Sequence, residues 1–237
     1  MQKYNTKFIC IGAIHVDYNM FLNQKYLINR TNPVTLKKTI GGVAYNISKY
    51  LRLYSNKIEL RSLQTHKKII KILKKKKIKF IPLTKKIYER FYTSVLNYNG
   101  KMIFGLANTS NYENFDTNII SFKTKNKVMI LDLNFPKKII NNLITNNYKK
   151  NLIMVCGTSH LKVNKIKYLL NKIDVLTLNY KEMLNLTNKN NISSAIEMIR
   201  KKYNKLTIAI TNGSKKIICI HKNLFYEAIC PKIKVKN

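Results

Sequence analysis

Short apolar runs alternate with helical patterns along most of the 237-residue chain, and this alternation limits the fold to few possibilities. The apolar runs resemble buried strands and lie at positions 7–14, 128–133, 151–155, 174–177 and 206–210. Strands that are separated by helices pair in parallel, because each helix carries the chain back across the sheet. The order therefore predicts a three-layer α/β/α sandwich, in a single domain over residues 1–237.

Two stretches depart from this alternation and predict additional strands outside the main sheet. Residues about 18–40 are polar and poor in helical patterns, and residues about 88–107 contain the β-rich runs RFYTSVLNY and KMIFGLA. Asn99 and Gly100 join these runs. This dipeptide favours a type I′ turn, in which both central residues have positive φ. We therefore expect a hairpin of two antiparallel strands here.

A glycine pair opens the first predicted helix. In GGVAYN, Gly41 and Gly42 precede apolar residues at helical spacing. Glycines let the backbone approach a ligand closely, and a helix start offers free N–H groups to oxygen atoms. Asn46, one turn later, adds a side-chain amide. From the residues alone, a tight turn without a ligand explains the pair equally well.

An acidic residue follows the first predicted strand. Asp17 lies just beyond the run 7–14, and in open α/β sheets ligands bind beyond the carboxyl ends of the strands. Asp17 is therefore a candidate for binding a hydroxyl group, and a solvated loop acid is the alternative. His15 has no recognisable nucleophile or carboxylate partner and is interpreted as structural.

The net charge of +35 is high enough to raise the question of nucleic-acid binding. Only five of the 45 basic residues are arginine, the side chain that best stacks on bases and binds phosphates bidentately. The one dense basic run, 74–77, ends a helical pattern, where positive charge is favourable. We therefore expect no specific nucleic-acid partner.

The four cysteines form no C-x-x-C pair and have no histidine at metal-binding spacing. The run 8–14 is too short to span a membrane, and no signal peptide is evident. These features predict a reduced, cytoplasmic protein without a membrane partner.

With an aspartate before it, GGVAYN resembles the first signature of the PfkB (ribokinase-like) family of sugar and nucleoside kinases. The resemblance implies that Asp17, Gly41, Gly42 and Asn46 bind the sugar. It implies that Asn179 and Glu182 of an N-x-x-E element handle phosphate and Mg²⁺, with Glu182 acting on the metal indirectly. Thr211 and Gly213 would lie near ATP. The excursions at 18–40 and 88–107 would form a lid that covers the substrate and pairs two copies into a homodimer.

Several phrases are most similar to the pseudouridine kinase branch of this family. They include RFYTSVLNYNGKMIFGLANTSNYE, LDLNFP, GTSHLKVNKI and IDVLTLNYKEMLNLT. This similarity implies transfer of the ATP γ-phosphoryl group to pseudouridine, while Tyr45 and the lid residues could accommodate several substrates. Ribokinase, fructokinase and adenosine kinase specificities remain open.

One family motif is missing. The G-A-G-D motif, which supplies the general base and the anion hole, has no match in the 237 residues, and residues 229–237 resemble the strand that precedes it. We therefore expect a C-terminally truncated kinase with little activity, and we assign no catalytic residue. Asp132 and Asp174 are candidates for a substitute general base only because the sequence offers no better acid. The alternative is a non-catalytic remnant, a binding module or half of a split kinase.

Overall fold

The computed structural model describes residues 5–115, 122–222, 224–229 and 231. Its main sheet has nine strands in the order β13-β12-β11-β10-β9-β8-β1-β4-β5. The strands are β1 (Phe8–Ile11), β4 (Ile58–Ser62), β5 (Lys79–Pro82), β8 (Val128–Asp132), β9 (Leu152–Cys156), β10 (Val175–Asn179), β11 (Thr207–Thr211), β12 (Ile217–His221) and β13 (Leu224–Ala228). Pairing is parallel from β5 to β11, and β12 and β13 add an antiparallel hairpin.

Helices cover both faces of this sheet. They are α1 (Val43–Leu51), α2 (Lys67–Lys75), α3 (Lys137–Asn147), α4 (Tyr180–Thr187) and α5 (Ile192–Lys202). Alternate residues of β1 enter different cores: Cys10 packs with side chains of α1 and α2, whereas Ile9 and Ile11 pack with the cluster that includes α3 and α5. The predicted α/β/α sandwich is therefore confirmed, with a mixed rather than wholly parallel sheet.

A second sheet of four strands lies outside the sandwich, in the order β3-β2-β6-β7. Its strands are β2 (His15–Leu22), β3 (Val34–Gly41), β6 (Phe91–Leu96) and β7 (Met102–Asn108). Both predicted excursions supply two strands each, so the smaller sheet expected from them is present. We call it the lid sheet.

The predicted type I′ turn at Asn99-Gly100 is wrong. Gly100 has a positive φ of 76°, but Asn99 does not have a positive φ. The Gly100 N–H donates to the Asn97 carbonyl at 2.8 Å, and the Asn97 N–H donates to the Lys101 carbonyl at 2.9 Å. This is a three-residue hairpin loop, 98–100. Its first two residues do not have positive φ, and the third, Gly100, lies in the left-handed region.

Two further segments concern the connection after β9 and the predicted C-terminal strand. After β9 the sequence has a helical pattern that runs to about residue 171, but the structure forms two 3₁₀ segments there, Lys162–Ile166 and Leu170–Lys172. Of the final predicted strand, only Ile229 and Pro231 belong to the described residues. No helix in the described part of the chain is both long and apolar enough to cross a bilayer.

Candidate functional site

A cleft of about 460 Å³ lies between the lid sheet and the carboxyl ends of the main-sheet strands. Its walls bring together three of the four residues predicted to bind substrate, and Gly41 borders it beneath Asp17. The lining residues are His15, Asp17, Gly42, Val43, Asn46, Tyr92, Ala107, Thr109, Asn134, Thr158, Ser159 and Lys162. A site beyond the carboxyl ends of parallel strands is where α/β sheets usually bind ligands. We call this space the lid cleft.

Each glycine of the pair is required by a close approach. A Cβ atom on Gly41 would overlap the Asp17 carboxylate. Gly42 has a φ of 103°, and a Cβ there would overlap the Ala13 carbonyl oxygen. Gly42 is also the N-cap of α1, and its carbonyl accepts the Asn46 N–H at 2.9 Å. The pair therefore lets the lid strand, the end of β1 and the start of α1 meet at one point.

Asp17 lines the cleft from within a strand, so the alternative of a solvated loop acid does not describe it. β1 ends at Ile11, Gly12 adopts a φ of 147°, and Asp17 lies within β2 opposite Thr39 of β3. Among the described residues, the buried Asp17 Oδ1 atom makes no hydrogen bond, and its ion-pair neighbour is the His15 Nε2 atom at 3.3 Å. A buried acceptor without a donor is costly, so this atom is suited to a hydroxyl group of a ligand.

His15, which sequence reasoning interpreted as structural, lines the same cleft. Its Nδ1 atom lies 3.5 Å from the Tyr112 hydroxyl. That hydroxyl accepts the Ile14 N–H and donates to the Ile14 carbonyl, both at 2.7 Å. The backbone between β1 and β2 is therefore held by a buried side chain while it presents His15 and Asp17 to the cleft.

Neither default substitute base is placed to act as one. Asp132 is 2% exposed and accepts the N–H groups of Ala13 at 2.7 Å, Ala44 at 3.2 Å and Asn134 at 3.0 Å. Burial raises its pKa, while these three bonds oppose the rise. Asp174 precedes β10, at the opposite end of the sheet, and accepts the Ile153 N–H. Both carboxylates hold the backbone.

Tyr45 does not shape the cleft, contrary to expectation. It is 3% exposed and packs in the core between α1 and the main sheet. Burial raises the pKa of its hydroxyl group. The helical periodicity explains this position, since Tyr45 lies on the opposite side of α1 from the residues that face the lid.

Sequence reasoning missed the wall of the cleft that faces the lid sheet. Asn134 follows β8, and Thr158, Ser159 and Lys162 follow β9. The Lys162 Nζ atom donates to Asn134 Oδ1 at 2.8 Å. The Thr158 hydroxyl is buried and has no hydrogen-bond partner in the part of the chain that the structure describes. Both segments were singled out from the sequence, in the phrases LDLNFP and GTSHLK. Their distance along the chain, however, gave no indication that the ends of these two strands lie side by side.

The N-x-x-E element forms a reciprocal cap at the start of α4. The Asn179 side chain accepts the Glu182 N–H at 2.9 Å, and Glu182 Oε2 accepts the Asn179 N–H at 2.8 Å. Glu182 is 3% exposed, and burial raises the pKa of its carboxyl group. A Cβ on Gly157 would overlap Glu182 Oε2. Glu182 thus lies against the residue preceding Thr158 of the cleft wall.

The other two residues predicted near the nucleotide follow the neighbouring strand. Thr211 ends β11 directly opposite Asn179, and Gly213 lies in the next turn with a φ of 59°. Beside them is a largely apolar cavity of about 550 Å³. Its lining includes Tyr180, Ile192, Ile210, Asn212, Ser214 and Ile218, but neither Thr211 nor Gly213. Within the described residues, no three His, Cys, Asp or Glu side chains group as a metal site.

Comparison with known proteins identifies the family. Residues 5–237 match the family model described as pfkB family carbohydrate kinase, whereas no curated protein matches. The fold is similar to a carbohydrate kinase from Agrobacterium tumefaciens (19% identity, 96% of this chain and 77% of that chain, TM-score 0.80). It is also similar to ribokinase from Cryptococcus neoformans in complex with ADP (13% identity, 99% and 81%, TM-score 0.76). A third similar structure is the nucleoside kinase of Methanocaldococcus jannaschii, a member of the ribokinase family (17% identity, 100% and 80%, TM-score 0.70).

The family model covers nearly the whole chain, so the chain belongs to the pfkB family of carbohydrate kinases. The structural matches show a ribokinase-like α/β fold with a main mixed sheet and a smaller lid sheet. The family and fold predicted from the sequence are therefore confirmed.

Proposed function

We propose that the chain is one kinase domain that binds pseudouridine in the lid cleft and directs the ATP γ-phosphoryl group to its 5′-hydroxyl. The observation that carries this proposal is the grouping of Asp17, Gly42 and Asn46 in one cleft of about 460 Å³. Family membership supports the reaction class. The phrases GTSHLKVNKI and IDVLTLNYKEMLNLT support a pseudouridine kinase-like substrate.

The sugar would lie against the lid strand and the start of α1. Asp17 Oδ1 would accept a ribose hydroxyl, because this buried atom makes no hydrogen bond within the described residues and has only the His15 Nε2 atom, at 3.3 Å, as an ionic neighbour. The Asn46 amide, one turn into α1, can both donate to and accept from a second hydroxyl. Gly41 and Gly42 let the lid strand and the start of α1 approach closely enough to present Asp17 and Asn46 to the same sugar. The lid sheet would exclude water from the reacting hydroxyl group.

The nucleotide would lie across the ends of β10 and β11. The apolar cavity beside Asn212 and Ser214 suits an adenine ring, and Thr211 and Gly213 adjoin it. The ADP complex of the similar ribokinase supports a nucleotide in this family. Mg²⁺ is commonly held by one or two carboxylates and substrate phosphates, so Glu182 alone is compatible with an indirect role. When bound, Mg²⁺ would neutralise phosphate charge.

A second candidate function is nucleoside binding without turnover. The 237 residues contain no G-A-G-D motif, and Asp132 is occupied by three backbone N–H groups. Loss of a general base costs roughly 10²–10⁴ in rate, and loss of an anion hole about 10²–10³. We therefore expect the isolated 237-residue chain to bind pseudouridine but to phosphorylate it slowly at most.

The test is an assay of 5′-phosphate formation by the 237-residue chain with MgATP and pseudouridine. Parallel samples carry Asp17→Ala or Asn46→Ala, and another receives a separate polypeptide that begins with a G-A-G-D segment. Turnover that appears or rises with this polypeptide, and that either substitution abolishes, would support a kinase completed in two parts. Saturable binding without turnover in any sample would favour the binding module. Absence of both would contradict the proposal.

The outer face of the lid sheet supports the proposed homodimer. Asp17, Tyr92 and Ala107 are aligned across β2, β6 and β7 on the face toward the cleft. Residues on the alternate face point away from it. Four apolar side chains of this outer face, on the edge strands β3 and β7, are 40–56% exposed: Val34, Leu36, Phe104 and Leu106. We call these four the outer lid face; a second copy could cover it.

A further inference from the structure

The wall of the lid cleft opposite the lid sheet carries a cation, Lys162, that forms no ion pair with any described residue. The Lys162 ammonium donates to Asn134 Oδ1 at 2.8 Å, and no carboxylate oxygen among the described residues lies within 4.0 Å of it. An ammonium group has three N–H donors. Lys162 can therefore donate to a ligand in the cleft while it keeps its bond to Asn134.

The neighbouring lysine shows what a purely structural lysine looks like in this fold. Lys165 pairs with Glu113 and also donates to the carbonyl oxygens of Leu133 at 3.1 Å and Phe135 at 2.7 Å. All its donors serve the protein, and it is not among the cleft residues. By contrast, a single acceptor among the described residues, Asn134, binds the Lys162 ammonium. Burial and the charge of Lys165 both lower the pKa of Lys162.

A second polar group in this wall of the cleft has no hydrogen-bond partner among the described residues. It is the buried Thr158 hydroxyl oxygen, and Thr158 lines the cleft four residues before Lys162. The Lys162 N–H donates weakly to the Ser159 hydroxyl at 3.4 Å, which fixes the backbone between them. An ammonium group and a hydroxyl group that line the same cleft can both donate to oxygen acceptors on a ligand.

The charge of the cleft argues for an uncharged ligand. Apart from His15, the charged side chains that line it are one carboxylate, Asp17, and one ammonium, Lys162. These two balance, whereas a phosphate dianion would leave excess negative charge in a partly desolvated space. Phosphate sites also usually use arginine forks or several lysines. A neutral molecule with hydroxyls at the Asp17 end and carbonyl oxygens at the Lys162 end fits this arrangement.

We propose that Lys162 and Thr158 bind the carbonyl oxygens of a nucleobase and thereby select pyrimidine nucleosides over free sugars. The inference rests on the proposed function, since it takes the lid cleft as the nucleoside site. It adds a substrate-recognition role for the cleft wall, with Lys162 as the specificity-determining residue and Asn134 as the residue that positions its ammonium group.

The test is calorimetric binding of four probes: pseudouridine, uridine, D-ribose and D-ribose 5-phosphate. The proteins are the unsubstituted chain, Lys162→Met, Lys162→Arg and the matched control Lys167→Met, since Lys167 is exposed and outside the cleft. Thermal unfolding of each variant checks the fold. Loss of a charged hydrogen bond predicts roughly ten- to hundredfold weaker pseudouridine binding in Lys162→Met. D-Ribose binding should not change, Lys162→Arg should recover part of the affinity, and Lys167→Met should match the unsubstituted chain.

Each other outcome has a definite meaning. Equal weakening of pseudouridine and D-ribose by Lys162→Met, or no weakening of either, would overturn the proposal. Tight, Lys162-dependent binding of D-ribose 5-phosphate would also overturn it, because Lys162 would then bind a phosphate. Lys162-dependent binding of uridine without binding of pseudouridine would contradict the proposed substrate but support the role of Lys162. Binding of no nucleoside would overturn both.

Discussion

At the scale of single residues, the site depends on backbone positions that exclude a side chain. Gly41 leaves the space that the Asp17 carboxylate occupies, and Gly42 holds a φ of 103° against the Ala13 carbonyl. A glycine pair before a helix was recognisable in the sequence. The reason for Gly41 was not recognisable, because it is a contact with Asp17, which lies in a strand 24 residues earlier in the chain.

Gly41→Ala should disable the nucleoside site without unfolding the protein. The added Cβ would push the Asp17 carboxylate aside, and we expect pseudouridine affinity to fall at least about tenfold. The matched control is Gly213→Ala, where no atom lies within 4 Å but φ is 59°. That variant should lose about 1 kcal/mol of unfolding free energy and keep its nucleoside affinity. Calorimetry and urea unfolding measure the two effects; reversed results would contradict the assignment.

Lys162 should make pseudouridine binding sensitive to alkaline pH. Its pKa is lowered from 10.5 by burial and by Lys165, so the charged donor is lost at a lower pH than for an exposed lysine. Affinity should therefore decline as the pH rises through this lowered pKa, before it reaches the ordinary lysine value of 10.5. Lys162→Arg keeps its charge throughout and controls for titration of the ligand itself. Parallel pH profiles for the two proteins would count against a direct contact.

At the scale of elements, local rules predicted the strands well and some connections poorly. The segment 160–171 buries Val163, Ile166, Leu169 and Leu170, a spacing that fits an α-helix as well as a 3₁₀ helix. The structure forms two 3₁₀ segments there. The loop at 97–101 similarly follows the bulged alternative rather than the turn that Asn-Gly favours. Both choices depend on packing that a short window does not contain.

The N-x-x-E element can be separated into capping and nucleotide roles. Asn179→Ala removes the cap acceptor and should cost about 1 kcal/mol of unfolding free energy. Glu182→Gln keeps an acceptor for the Asn179 N–H, so the cap should survive while Mg²⁺-dependent ATP binding weakens. Urea unfolding and nucleotide titration with and without Mg²⁺ test this. Unchanged Mg²⁺ dependence in Glu182→Gln would restrict Glu182 to capping.

Glu182→Gln should also change how the unfolding free energy depends on pH. Burial raises the folded-state pKa of Glu182 above 4.5, so the folded chain holds this proton more tightly than the unfolded chain. The resulting stabilisation is complete below about pH 4.5 and is lost as pH rises through the raised pKa. Glutamine does not titrate. The unfolding free energy of the unsubstituted chain should therefore fall relative to Glu182→Gln on going from acid to neutral pH; the opposite trend would refute the assigned direction.

At the scale of the whole molecule, alternation of strands and helices was enough to predict the sandwich, and the excursions were enough to predict a second sheet. What lay beyond sequence reasoning was the convergence of strand ends. Asp17, Asn134 and Lys162 come from three separate segments and meet only because β1, β8 and β9 are neighbours in the sheet. The strand order, which no local pattern encodes, creates the site.

The outer lid face gives a prediction about assembly. We expect the chain to form a dimer at micromolar concentrations, and Leu106→Lys to make it monomeric by placing a charge in the apolar contact. Leu53→Lys is the control, since Leu53 is 59% exposed, like Leu106 at 56%, but lies outside the lid sheet. Sedimentation velocity measures all three. A monomeric unsubstituted chain, or a dimer that survives Leu106→Lys, would refute the proposed interface.

The most direct test of the central claim is the dissociation constant of pseudouridine for the 237-residue chain and for Asp17→Ala, measured by calorimetry. Asn19→Ala is the control: Asn19 shares the strand and face of Asp17 but bonds to Ser94 at 2.6 Å and does not line the cleft. We predict one saturable site that Asp17→Ala weakens at least about tenfold and Asn19→Ala leaves intact. Absence of binding, or equal affinity in Asp17→Ala, would contradict the assignment of the lid cleft as the nucleoside site.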